Sequence, residues 1–135
     1  MNNLKKYINK LENHKLEDHQ KKRIEIIVER LYNKINSISL IVFICTHNSR
    51  RSQFCEAWSK VLANRYGLNI SFASAGTTKT SVYKEVVNSL KRAGVDINEK
   101  GILNIEGKSS ILYSKTLDDI KAVSYTHLRA HETGY

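Results

Sequence analysis

The segment Cys45-Thr46-His47-Asn48-Ser49-Arg50-Arg51-Ser52 carries residue types whose spacing suits them to chemistry on a tetrahedral oxyanion. It follows a run of strand-forming residues and opens a helical pattern, the place where α/β folds bind ligands. Successive backbone N–H groups in a tight turn form a concavity for an anion. The helix that follows points its positive end and unpaired N–H groups at the same spot. Arg51 adds a planar fork of donors for two oxygens of the anion. Cys45 stands at the mouth of the loop, where a helix N-terminus and guanidinium groups lower a thiol's pKa. A thiolate beneath a bound phosphoryl group is a nucleophile set for in-line attack. Ser52 can donate a hydrogen bond to that thiolate or cap the helix, and Asn48 can hold the loop through side-chain bonds to the backbone. Thr46, His47, Ser49 and Arg50 complete the candidate oxyanion cradle, with Arg50 expected as a solvated or wall residue and His47 as either an anion contact or a shaper of the loop.

Such a loop needs a strand before it and a helix after it. Residues 39–45 form an unbroken apolar, β-branched run, the pattern of a strand buried on both faces in a parallel sheet. Phe54, Ala57, Trp58, Val61 and Leu62 repeat at helical spacing, and Gly67 is placed to stop that helix. A second strand is predicted at Ile70–Ala73, with Ser-Ala-Gly-Thr as a turn. A helix follows through Tyr83, Val86, Val87, Leu90 and Ala93, with Ser81 as N-cap and Gly94 past its end. A third strand is predicted at Ser110–Ser114. This alternation predicts an α/β fold, three-layer α/β/α, with a parallel sheet and right-handed crossovers. Ahead of it, residues 1–36 read as a helical pair, with stripes Leu4, Tyr7, Ile8, Leu11 and Ile24, Ile27, Val28, Leu31, Ile35 expected to pack on the main domain. Trp58 is expected in the core and Tyr83 near a helix start.

Composition narrows the function classes. With 135 residues, 41% apolar and 26% charged, the chain suits one compact domain and is too apolar to be disordered. Its longest apolar run, Leu40 to Cys45, is too short to span a membrane, and the amino terminus lacks a signal-peptide core, so a cytoplasmic protein is expected. Two cysteines without metal-ligand spacing point to free thiols, with neither metal nor cofactor expected. The net charge of +9 is diffuse: residues 1–36 carry nine Lys/Arg against five Asp/Glu, and residues 37–122 twelve against seven. That field attracts small anions. Aromatic–basic interleaving is lacking, so nucleic acid is not the expected partner; a non-catalytic protein acting through its basic N-terminal helices is the reading from another class.

Taken together, Cys-x5-Arg-Ser after a buried strand, Ser52-Gln53 opening the helix, and Ser74-Ala75-Gly76-Thr77 after the second strand resemble the low-molecular-weight protein tyrosine phosphatases and the thioredoxin-coupled arsenate reductases that share their fold. The resemblance covers about Leu40 to Asp119. It implies a four-stranded parallel sheet flanked by helices, a phosphocysteine or arsenate-cysteine intermediate at Cys45, and Arg51 on the oxyanion. The implied partner is a phosphorylated protein or a small phosphate or arsenate oxyanion, with thioredoxin or glutaredoxin added if the chain is a reductase.

The sequence departs from the family pattern at several places. His47 stands where Gly is usual, which matters if that position needs positive φ. Arg50 stands where a second cysteine is common, and Gln53 replaces the Pro of many phosphatases. The family's general acid, an Asp in a C-terminal loop, has no counterpart, since Asp118 and Asp119 come too early. A reductase also needs resolving thiols to attack Cys45; Cys55 is the only other thiol, expected as a small packed hydrophobe. Residues 122–135 continue no earlier pattern and resemble translated adapter sequence. The expected division is therefore a helical segment 1–36, a truncated α/β domain 37–121 and a non-native tail 122–135, whose His127 and His131 carry no functional weight.

Overall fold

The computed structural model describes residues 3–121, so the expected tail lies outside the described residues. Two helices come first, α1 over Asn3–Glu12 and α2 over Asp18–Asn33, then a 3-10 turn at Ile35–Ser37. Strand β1 (Leu40–Cys45) leads through the loop into α3 (Arg51–Tyr66), which crosses back to β2 (Ser71–Gly76). Helix α4 (Lys84–Arg92) and strands β3 (Ile102–Ile105) and β4 (Lys108–Ile111) follow, and residues 117–121 are again helical.

The chain is α/β, with β1 and β2 parallel in register from Leu40 opposite Ser71 to Cys45 opposite Gly76. Gly67 ends α3 in the left-handed conformation (φ 71°), as its sequence position predicts. The core gathers Ala57 and Val61 of α3, Val86 and Leu90 of α4, Leu103 of β3, and Leu112. Apolar faces at helical spacing on α3 and α4 therefore meet over a strand, which fixes the direction from which α3 approaches the loop. No helix among the described residues is long and apolar enough to cross a membrane.

Several predicted elements differ in detail. The stretch Ser74–Gly76, expected as a turn, continues β2, because Ser74 and Ala75 are fully buried and extend the ladder to Cys45. Helix α4 is capped at Tyr83 rather than Ser81, with no side-chain cap bond. The third strand expected at Ser110–Ser114 is instead the end of an antiparallel hairpin, β3 with β4, apart from the parallel pair. Its turn places Glu106 (φ 48°) and Gly107 (φ 83°) both in the left-handed region, the requirement of a tight hairpin. A parallel bridge between Gly76 and Thr116 adds a third chain segment beside the end of β2.

Strand β1 is less covered than a strand buried on both faces. Leu40 and Ile44, on one face, remain 38% and 54% exposed. The N-terminal pair splits as well. Ile8 of α1 is buried in the core, Tyr7 stacks on Trp58 with ring centroids 5.5 Å apart, and Tyr66 hydrogen-bonds to the Glu12 carboxylate. Helix α2 buries no residue, and Ile24, Ile27 and Val28 of its apolar stripe stay exposed, contrary to the expectation that both helices pack.

Candidate active site

The loop after β1 is fastened to the end of β2. The carbonyl of Thr46 accepts the amides of Thr77 and Thr78, each at 3.0 Å. Gly76 lies so close beneath that an added Cβ would come within 2.8 Å of the Asn48 nitrogen and the carbonyls of Thr46 and Thr78. Glycine is required there by close approach of two backbones. The positive φ falls on Asn48 (50°) and not on His47. Asparagine is among the few side chains that tolerate this conformation.

Asn48 is completely buried and uses its whole hydrogen-bonding capacity. Its amide nitrogen donates to Ser52 Oγ (2.8 Å) and Ser74 Oγ (2.9 Å). Its carbonyl oxygen accepts from the Lys115 backbone (2.8 Å) and from Gln53 Nε2 (3.0 Å). Beyond it, Ser74 donates to Glu56 Oε1 (2.6 Å), which also accepts from Lys115 Nζ (3.2 Å). The other carboxylate oxygen of Glu56 accepts from Lys60 (2.6 Å). A buried carboxylate is costly unless paired and hydrogen-bonded, and Glu56 is both. Burial pulls the Lys115 ammonium below its ordinary pKa, partly offset by Glu56.

The sulfur of Cys45 lies 2.9 Å from Ser52 Oγ. Asn48 already donates to that hydroxyl, so its own proton is free to point at the sulfur. Partial burial pushes the thiol up, but the Ser52 hydroxyl and the amides of Ser52, Asn48 and Ser49 outweigh it. The Cys45 pKa is lowered. Above the sulfur opens a recess of about 460 Å³, lined by Cys45, His47, Ser49, Arg50 and Arg51 on the loop side and by Thr80 and Ser81 opposite. The arrangement can hold an anion over a thiolate.

The eight predicted residues thus divide by position. Cys45, His47, Ser49, Arg50 and Arg51 face the recess, Ser52 supports the sulfur from a buried site, and Thr46 and Asn48 hold the loop from outside the recess. His47 is exposed; its Nδ1 is 3.3 Å from Thr78 Oγ1 and its carbonyl accepts from Thr80 Oγ1. The Arg50 guanidinium lies over the Tyr83 ring at 4.1 Å, so Tyr83 is a neighbour of the site.

Glu56, Ser74, Thr80 and Lys115 join the site without having been singled out for it. The signal for Glu56 was present: Ser52 and Glu56 are four apart, on the same side of α3 as Gln53 and Ala57. Cys55, expected to be packed, is exposed; desolvation and the nearby Cys45 charge raise its pKa. Asp119 accepts the Thr116 amide at 2.9 Å as a helix-start cap, and that bond holds its carboxyl below the usual range. Among the described residues, no three His, Cys, Asp or Glu side chains converge as a metal site requires.

Known proteins resemble parts of this chain. Arsenate reductase of Brevibacillus brevis is 39% identical over 61 residues, 44% of this chain and 42% of that protein. Arsenate reductase of Staphylococcus aureus (strain Newman) is 39% identical over 59 residues, 43% of this chain and 42% of that protein. The chain thus matches about two-fifths of the length of these curated relatives. The solution structure of a low molecular weight protein tyrosine phosphatase from Bacillus subtilis aligns with a TM-score of 0.43 at 27% identity, over 62% of this chain and 50% of that one. The family model for low molecular weight phosphotyrosine protein phosphatase matches residues 40–123, from the first residue of β1 through the loop and the hairpin. Helices α1 and α2 precede the match; from β1 onward, the chain belongs to the low molecular weight phosphotyrosine protein phosphatase family.

Proposed function

We propose that the chain carries the nucleophile and oxyanion loop of a cysteine-dependent phosphatase acting on phosphotyrosine-like monoesters. The observation that supports it is the Cys45 sulfur, its pKa lowered by the Ser52 hydroxyl and three loop amides at the floor of an open, arginine-lined recess. Cys45 Sγ attacks phosphorus, the bond from phosphorus to the ester oxygen breaks, and that oxygen leaves as the phenolate, which takes its proton from solvent. Arg51 and the loop amides hold the three remaining oxygens as their charge grows in the transition state. Water then attacks phosphorus, the S–P bond breaks, and phosphate leaves while the thiolate is restored. Asp119 is engaged as a helix-start cap on the Thr116 amide and has no part in this step. A phosphorylated protein is the partner in this reading, and a cytoplasmic location suits it.

The test is hydrolysis of p-nitrophenyl phosphate by the chain and its variants. Cys45→Ser is expected to abolish turnover, and Arg51→Lys to lower kcat/KM by about 10²-fold through loss of bidentate contact. Turnover that survives Cys45→Ser sinks the proposal, as does a complete, folded protein with none.

A second reading, arsenate reduction, is favoured by the names of the relatives and by the exposed Cys55 thiol. Here Cys45 Sγ attacks arsenic(V) of arsenate, an arsenic–oxygen bond breaks, and that oxygen leaves as water after taking protons from solvent. A second thiolate then attacks the Cys45 sulfur. The sulfur–arsenic bond breaks, its electron pair reduces arsenic to arsenite, and a disulfide remains. A dithiol protein of the thioredoxin or glutaredoxin class then reduces that disulfide. Thiol-dependent arsenite release that vanishes in Cys55→Ser supports this reading; its persistence removes Cys55 from it.

A further inference from the structure

A second groove, of about 630 Å³, adjoins the recess over Cys45 and shares Thr80 and Ser81 with it. The shared segment is fixed to the loop: the Thr80 amide donates to Ser114 Oγ at 2.9 Å, and both Thr80 Oγ1 and Ser114 Oγ donate to the His47 carbonyl. The groove therefore keeps a constant position relative to the sulfur. Its floor is apolar, made by Val82, Val87 and Leu112, and the exposed ring of Tyr113 forms part of its wall. Its charged lining is one-sided, with Lys79, Lys84 and Lys100 against Glu99 alone. Among the described residues none of the three lysines is in an ion pair, although the charge of Lys79 also reaches Asp119.

A free phosphate or arsenate fits wholly over Cys45 and has no use for this extension. An extended peptide, held by a phosphorylated side chain in the recess, runs across the Thr80–Ser81 rim into it. We propose that the groove is the subsite for acidic residues flanking the phosphotyrosine of a protein substrate, with their carboxylates on Lys79, Lys84 and Lys100 and an apolar neighbour on the Val82–Leu112 floor. The proposal rests on the phosphatase reading and narrows its substrate to acidic phosphopeptides. Exposed charge pairs each contribute little, so the preference comes from several lysines together and weakens with salt.

Fluorescently labelled phosphotyrosine peptides with Glu and Asp flanks, and isosteric ones with Gln and Asn, are titrated against the Cys45→Ser chain. The acidic peptide is expected to bind about fivefold to tenfold tighter at low ionic strength. K84Q/K100Q removes most of that preference and K84E/K100E reverses it; both sites are exposed, and circular dichroism verifies the fold of each variant. Equal affinity for the two peptides, no binding of either, or a preference that survives both variants overturns the groove. The phosphatase reading fails separately, if the wild-type chain hydrolyses neither peptide while Cys45→Ser still discriminates between them. If wild type hydrolyses both equally and they bind equally, the groove falls and the phosphatase reading stands.

Discussion

Ser52 receives a hydrogen bond from Asn48 and directs its own proton toward Cys45, so a buried neutral chain of donors ends on the sulfur. Removing the last donor takes away the first of the contributions that lower the thiol's pKa. Ser52→Ala is expected to raise the Cys45 pKa toward its ordinary value, because less of the thiolate's charge is then compensated. Iodoacetate alkylation of Cys45 then slows severalfold at a pH where thiolate is scarce in both proteins, and is almost unchanged well above about pH 9, where both are ionised. Equal slowing at both pH values means that Ser52 governs access to the sulfur and not its acidity. At this scale the loop was legible, because nucleophile, arginine and helix start all lie within eight consecutive residues. The supports were not: Ser74 and Lys115 come to Asn48 from 26 and 67 residues away. The doubt raised by His47 falls away once Asn48, a residue suited to it, takes the left-handed conformation.

Elements were legible where periodicity was strong and adjacent positions agreed. Helix α3 and its glycine stop follow from spacing alone. Strand β2 runs three residues further than expected because burial of Ser74 and Ala75 overrides the turn character of Ser-Ala-Gly. The hairpin was misread as a parallel strand since Ser110–Ser114 shows no period of its own; the informative residues were Glu106-Gly107, a turn pair between two short strands. The segment after β4 is tied to α3 by Lys115 on Glu56, by the Gln53 side chain on the Tyr113 carbonyl and by Leu112 in the core. Lys115→Met leaves Glu56 with Lys60 and Ser74 only, and is expected to cost about 3–5 kcal/mol of unfolding free energy in urea. Adding Glu56→Gln removes the buried charge that Lys60 alone then balances, and recovers part of the loss. A double variant no more stable than Lys115→Met shows that the lysine acts through packing and not through its charge.

For the molecule as a whole, the N-terminal helices show where pattern reading stops. An apolar stripe identifies the face of a helix to be covered but not what covers it; α1 has Ile8 in the core, whereas α2 buries no residue. Helix α1 is seated against the Gly94 turn, where φ is 98° and an added Cβ would meet the Leu4 nitrogen at 2.4 Å. Gly94→Ala is therefore expected to dislodge α1 and lower stability by about 1–3 kcal/mol. Trp58 fluorescence, changed by loss of the Tyr7 stack, reports whether α1 has moved. An unaltered spectrum and unfolding midpoint overturn that view of the seating. The reach of Asn48 also sets an order of events in time. Helices close over a few residues, whereas this one side chain waits for two segments distant along the chain, and loop-closure entropy delays such contacts. During refolding from urea, helical circular dichroism is thus expected to return before the sulfur regains its acidity. On that order, the nucleophile acquires its character only after the helices around it have formed.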